Sequence, residues 1–309
     1  MYEESAFFTL LGVPVYWYGV MILLGAAALL AVFALGGRGR VKAGTVPLFG
    51  VLAAPITLIC SRLLFCLLDF RFHDMFSLRA VCAFWGGGYS MVGALLGLAL
   101  AAWLTARITK QDAVALLDLL FPALCAFICF ARVGEGFTEL LGRSRSLTQD
   151  WLGNSFLASN DGYDAYLNTY VLEAATAAIL GVITWLYGRR GPRRGNVLLT
   201  GMLLLGCTQV LWESLRFDSH MRYSFISMQQ ILFACMFALP LVIYAARCGK
   251  KAMISAILLC AVVVGGAVGL EFMIDRSDVS NVICYILYIL LLALPAAAGL
   301  YFRQRSERN

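Results

Sequence analysis

Charge is what this sequence has least of. Asp, Glu, Lys and Arg make up 14% of its 309 residues, against about 25% in a soluble domain. A folded chain of this length would have too little polar surface to cover itself in water, which excludes an ordinary soluble protein. Histidine is scarcer still, with only His73 and His220. Cys125 and Cys129 share a helix face, but no histidine or second cysteine pair completes a zinc pattern around them. The ten cysteines lie almost all in apolar segments, where thiols act as small packing residues. No metal or other cofactor is implied. A basic leader is also missing, because Glu3 and Glu4 occupy its place and no small-residue cleavage site follows, so no cleavable signal peptide is expected.

What is present is apolar sequence in long runs. The chain is 61% hydrophobic with a mean hydropathy of +0.82. Runs of about 20 apolar residues can each cross a bilayer of roughly 30 Å as a helix. A helix also satisfies its own backbone where no water is available. Nine spans are predicted, near 15–36, 44–68, 87–108, 113–132, 170–188, 196–215, 228–246, 252–273 and 281–302. No soluble second domain is visible. Every alternate loop is short and basic: Arg38, Arg40 and Lys42; Arg107 and Lys110; Arg189, Arg190, Arg193 and Arg194; Arg247, Lys250 and Lys251; and the tail with Arg303, Arg305 and Arg308. The positive-inside rule places these loops in the cytoplasm and the N-terminus outside. The formal charge of +6 is therefore a topology signal, and nucleic-acid binding is not expected.

The remaining loops face outward. The longest, 133–169, holds acidic residues and the aromatics Trp151, Tyr163 and Tyr166 without a basic cluster, which suits a functional or lid element at headgroup level. Charges inside spans are costly in lipid and mark either a site or a buried partner. Arg62 lies within the second span and Asp69 closes it. Arg132 ends the fourth, Glu173 opens the fifth, and Glu213 with Arg216 ends the sixth. Gln209 is one turn deeper than Glu213, and Glu213 and Arg216 can pair at i, i+3. All fall toward the outer leaflet. Interhelical pairing and snorkelling would explain single cases; convergence of several on one side favours a site for an anionic headgroup. The run Trp85-Gly86-Gly87-Gly88-Tyr89-Ser90 opens the third span. Its glycines allow close backbone approach, either to a neighbouring helix or to a ligand, and amides at a helix N-terminus can bind an anion.

Several segments, in order, resemble the bacterial prolipoprotein diacylglyceryl transferase family. Val15-Tyr16-Trp17-Tyr18-Gly19 is similar to the family's His-Trp-Tyr-Gly. Trp85 to Ser90 resembles Trp-Asp-Gly-Gly-Met-Ser. Asp118 and Pro122 match an Asp-x-x-x-Pro, with Arg132-Val-Gly134 at the family's distance. Glu139-Leu-Leu-Gly-Arg143 is similar to Glu-Leu-Trp-Gly-Arg. Glu213-Ser-Leu-Arg216 and Ile226-Ser-Met-Gln-Gln-Ile231 match the last two shared spans. The resemblance covers about residues 10–246 and implies an all-α polytopic membrane protein of seven family spans plus two extra C-terminal ones. The expected organisation is a transferase-like membrane domain over 1–246, with 133–169 as its outer head region, and an added two-helix extension with a basic tail over 247–309.

That family moves a diacylglyceryl group from phosphatidylglycerol to the lipobox cysteine of a lipoprotein precursor at the outer leaflet, and glycerol phosphate leaves. The resemblance therefore implies a multi-pass protein of the bacterial cytoplasmic membrane, with phosphatidylglycerol and a precursor signal peptide as partners. Such chemistry requires cations to orient a lipid phosphate and a base to take a thiol proton. The resemblance and the span charges together mark Tyr18, Glu135 and Glu139 for catalysis. They mark Arg62, Arg132, Gly87, Gly88, Ser90, Gly142, Glu213, Arg216 and Gln230 for substrate binding.

Several family positions are substituted. The His-Gly-Gly of the third span reads Val92-Gly93-Ala94. The asparagine after the fourth span's Arg-x-Gly is Glu135. A functional arginine and tyrosine of the sixth span fall on Gln209 and Leu205, and a His-Pro-Ser-Gln-x-Tyr-Glu reads Leu167 to Glu173. Glu135 is a candidate for the missing base or a partner for Arg132; His220, four residues after Arg216, could approach from the rim. Two functions remain open: a phospholipid-dependent transferase, and a non-catalytic lipid- or lipoprotein-binding protein on the same fold. A transporter would show inverted repeats and polar groups at the midplane, and neither is visible.

Overall fold

The computed structural model describes residues 6–10, 13–69, 78–84, 87–138, 143–147, 153–160, 162–216, 222–277 and 279–308. A hairpin of β1 (Ala6–Leu10) and β2 (Val13–Tyr16) leads into α1 (Trp17–Gly37). Then come α2 (Thr45–Leu68), the one-turn α3 (Leu78–Cys82), α4 (Met91–Thr109) and α5 (Ala113–Glu135). Three strands follow, β3 (Arg143–Ser146), β4 (Ala158–Asn160) and β5 (Ala165–Asn168), and then α6 (Thr169–Arg189) and α7 (Asn196–Leu215). A hairpin of β6 (Arg222–Tyr223) and β7 (Ile226–Ser227) precedes α8 (Met228–Arg247), α9 (Lys250–Arg276) and α10 (Asn281–Arg308). Among the described residues, nine helices are long and apolar enough to cross a membrane, and they coincide with the nine predicted spans. The last two run beyond the predicted apolar limits, because their charged ends continue the helix past the hydrophobic run.

Local chemistry sets the helix ends. The Ser90 hydroxyl accepts from the Gly93 amide at 3.2 Å, and the Asp112 carboxylate from the Val114 amide at 2.9 Å, capping α4 and α5. A second carboxylate on α5, Asp118, accepts from the Gly195 and Leu198 amides at 2.7 and 2.8 Å. It thereby meets the positive end of α7 and fastens that helix to α5.

Helix packing depends on small residues, since lipid supplies no hydrophobic drive between helices. Gly93 and Gly97 of α4 face α2 so closely that an added Cβ would lie 2.7 Å from the Cys60 carbonyl oxygen and 2.7 Å from Thr57 Cα. Two buried clusters result. One joins Phe33, Phe49, Phe121 and Leu205 from α1, α2, α5 and α7. The other joins Leu203, Phe233, Phe237 and Tyr288 from α7, α8 and α10. Helix α7 contributes to both and is the most buried of the nine spanning helices. Leu23, Val51, Leu96, Val182 and Leu290 point outward as large exposed apolar side chains, which fits a lipid-facing surface.

The alternation of the helices puts all three small sheets at the ends opposite the basic loops. The long segment between α5 and α6 forms a three-stranded antiparallel sheet in the order β3-β5-β4. An isolated bridge from Ser144 to Arg216 ties this sheet to the end of α7.

Candidate functional site

Beneath that sheet, two arginines and two glutamates close a ring. Arg132 and Glu135 lie three residues apart in the last turn of α5, on one face, and their Nη1 and Oε1 atoms are 2.5 Å apart. Arg132 Nε is 2.6 Å from Oε2 of Glu173, which stands in the second turn of α6. Arg216, at the C-cap of α7, places Nη1 3.0 Å from Glu135 Oε2 and 2.9 Å from Glu173 Oε1. All four side chains are buried, Glu173 completely. Charges removed from water to this degree are tolerated only with close, well-oriented partners. Glu213, in the last turn of α7 three residues before Arg216, is also buried. It accepts from the Ser227 hydroxyl at 3.4 Å. Arg222 donates through Nη2 to the Arg216 and Glu213 carbonyl oxygens at 3.0 and 3.4 Å, satisfying the end of α7.

One edge of the ring lacks a strong acceptor. The Nη2 atom of Arg132 meets the sulfur of Met91 at 2.8 Å, and a thioether is a weak acceptor for a guanidinium. Met91 is the first residue of α4, three residues after Gly88. Arg62 holds the other end of that stretch: its Nη1 donates to the Gly87 carbonyl and, at 3.0 Å, to the Gly88 carbonyl. Ser90 is fully buried; its amide donates to the Ser61 carbonyl at 3.1 Å, and its own carbonyl accepts from the Ser61 hydroxyl at 2.7 Å. The sequence marked Arg62, Gly87, Gly88 and Ser90 for substrate; here they form one hydrogen-bonded unit that carries the start of α4 to Arg132.

Gly87 and Gly88 both have left-handed φ, +69° and +76°. An added Cβ has open space at Gly87, whereas at Gly88 it would enter the Phe65 ring and lie 2.9 Å from Arg62 Nη1. Gly87→Ala is therefore expected to cost about 1–2 kcal/mol from backbone strain alone. Gly88→Ala adds an overpacking cost of about 1–3 kcal/mol. Thermal unfolding in detergent checks the order, and equal losses would contradict this geometry.

Tyr18, in the first turn of α1, packs against Gly134, where an added Cβ would lie 3.2 Å from its ring. Gly134 immediately precedes Glu135 in the last turn of α5. Gln230 has other contacts. Its side chain completes a capping box with Ser227, accepting from the Ser227 amide at 2.9 Å, and donates to Glu271 of α9 at 2.6 Å. Gln209, one turn from Glu213 along α7, is completely buried, and neither atom of its amide has a hydrogen-bond partner among the described residues. Glu139, Gly142, His73 and His220 lie outside the described residues. Glu173 was visible in the sequence as a span charge, but nothing there assigned it to both arginines. Met91 and Arg222 carried no sequence signal.

The fold and the site define a polytopic helical membrane protein with a buried arginine–carboxylate cluster near one end of its spans, under a small β head. Residues 5–246 match the family model of prolipoprotein diacylglyceryl transferase, and the chain belongs to that family. It is similar to the phosphatidylglycerol–prolipoprotein diacylglyceryl transferase of Listeria monocytogenes serotype 4b, with 28% identity over 241 residues covering 75% of this chain and 86% of the relative. The enzyme of that name from Lysinibacillus sphaericus is 25% identical over 219 residues, 67% of this chain and 78% of its own. The one from Enterococcus faecalis is 27% identical over 257 residues, 79% and 90%. The family match stops within α8, so α9 and α10 lie beyond it.

Proposed function

We propose that this chain transfers the diacylglyceryl group of phosphatidylglycerol to the cysteine thiol of a lipoprotein precursor, in the bacterial cytoplasmic membrane. In that reaction the thiolate sulfur forms a bond to the glycerol carbon, the carbon–oxygen bond to phosphate breaks, and glycerol phosphate leaves with the electron pair. Family membership and the relatives' names support the reading. Among the site's contacts, the observation that carries it is the Nη2 of Arg132, buried and facing only a thioether. A lipid phosphate oxygen would replace that weak acceptor with a charged one, and the leaving phosphate would keep it. Residues 1–246 would carry the reaction, with 247–309 as an added membrane extension.

The test is incubation of the purified chain with labelled phosphatidylglycerol and a lipobox peptide. Label in the peptide and release of glycerol phosphate are expected; the absence of both, with this and other anionic phospholipids, would overturn the proposal. Glu135→Gln separates two roles for that residue. A partner of Arg132 and Arg216 lowers lipid binding and turnover together, whereas a base lowers turnover alone.

A further inference from the structure

At the opposite ends of the helices, where the basic loops gather, a pocket of about 670 Å³ lies between the end of α6 and the last turns of α10. Its lining includes Tyr187 from α6 and Arg190 just past the end of that helix, with Tyr301, Arg303, Gln304 and Glu307 from α10. The one carboxylate is already engaged: Glu307 Oε1 accepts from the Tyr187 hydroxyl at 2.5 Å and from Asn196 Nδ2 at 2.7 Å. Asn196 in turn accepts from Arg247 at 2.7 Å. Neither Arg190 nor Arg303 has a carboxylate within ion-pair distance among the described residues.

Arg303 is held rigidly, with its guanidinium 4.5 Å over the Tyr187 ring and Nη1 3.4 Å from the Thr200 hydroxyl. Its Nε is covered by protein, whereas Nη2 is accessible and makes no hydrogen bond among the described residues. A planar guanidinium held at its face and at Nη1, with the accessible Nη2 donor unmet, suits a phosphate oxygen. The exposed Arg190 at the rim adds a second cation. Tyr301, 57% exposed, continues from the pocket along α10, where an acyl chain could follow. Basic pockets between helices on the cytoplasmic side are places where anionic headgroups bind.

We propose that this pocket holds the headgroup phosphate of an anionic phospholipid of the cytoplasmic leaflet, a site separate from the Arg132 ring and independent of the transferase reading. Native mass spectrometry of the full chain, released from phosphatidylcholine nanodiscs with increasing phosphatidylglycerol, tests it. The chain is expected to carry a phosphatidylglycerol adduct that survives Arg132→Gln and weakens about tenfold or more in the Arg190→Ala, Arg303→Ala double variant. Arg190→Ala alone changes only an exposed helix end, so a severalfold weakening in a fully folded chain is expected. Equal adducts in wild type and both variants would overturn the proposal. So would an Arg303-dependent site that takes inorganic phosphate but shows no preference for phosphatidylglycerol over phosphatidylcholine.

Discussion

Replacing Arg132 by glutamine is expected to lower diacylglyceryl transfer by about a hundredfold to a thousandfold, the usual cost of removing one donor aimed at developing negative charge. Arg132 makes three kinds of contact, and only one is open to a substrate. Nε and Nη1 are held by Glu173 and Glu135 at 2.6 and 2.5 Å, and these fix the plane of the guanidinium. Nη2 then points at Met91 without a choice of rotamer. A lysine would keep the charge but not the fork, so Arg132→Lys is expected to recover only a small part of the loss. Turnover and phosphatidylglycerol affinity, measured in the same detergent, separate the effects. A fall in kcat beyond the fall in affinity is expected, because the phosphate gains charge as the carbon–oxygen bond breaks. Unchanged turnover in a folded Arg132→Gln protein would remove Arg132 from the reaction.

The largest effect on stability is expected from Arg216→Met. Arg216 is 3% exposed and bridges Glu135 and Glu173. Without it, Arg132 alone faces Glu135, Glu173 and the nearby Glu213, and uncompensated negative charge remains buried. Breaking a buried pair in this way costs about 3–5 kcal/mol. Glu173→Gln is the informative comparison. Among the described residues it removes one of three carboxylates, Glu135, Glu173 and Glu213, around the guanidiniums of Arg132 and Arg216. Arg222 is engaged by carbonyl oxygens, and the amide oxygen of the substituted side chain can still accept a hydrogen bond. Its expected cost is only about 1–2 kcal/mol, in the range for altering one buried hydrogen bond. Denaturation of both variants in the same micelles gives the order directly. If Glu173→Gln is the more damaging change, the anion-rich account of this cluster is wrong.

Much of the frame was legible in the residues. Nine apolar runs of spanning length are one-dimensional features that bilayer thickness converts directly into helices, and the five basic ends mark one end of the bundle. The ordered motifs were equally readable, since family position does not require knowing contacts. Gln230 shows where such reading stops short. Ser227-x-x-Gln230 is a capping-box pattern, and the Gln230 side chain does accept from the Ser227 amide. A further bond, to Glu271, joins the family spans to a helix beyond them, and no local pattern announces that.

Composition and periodicity, then, were enough to establish a polytopic membrane protein with its polar groups near one face, because lipid penalises charge wherever it falls along a helix. Which charges meet was decided only by the tertiary structure. Glu173 and Arg216 are 43 residues apart in the chain, and their pairing follows from the packing of α5, α6 and α7 around one another. The same packing turned Arg62 toward the glycine run and left Arg132 with one edge facing a thioether. A sequence records which groups lipid must conceal; the neighbours that conceal them depend on how closely each pair of helices can approach.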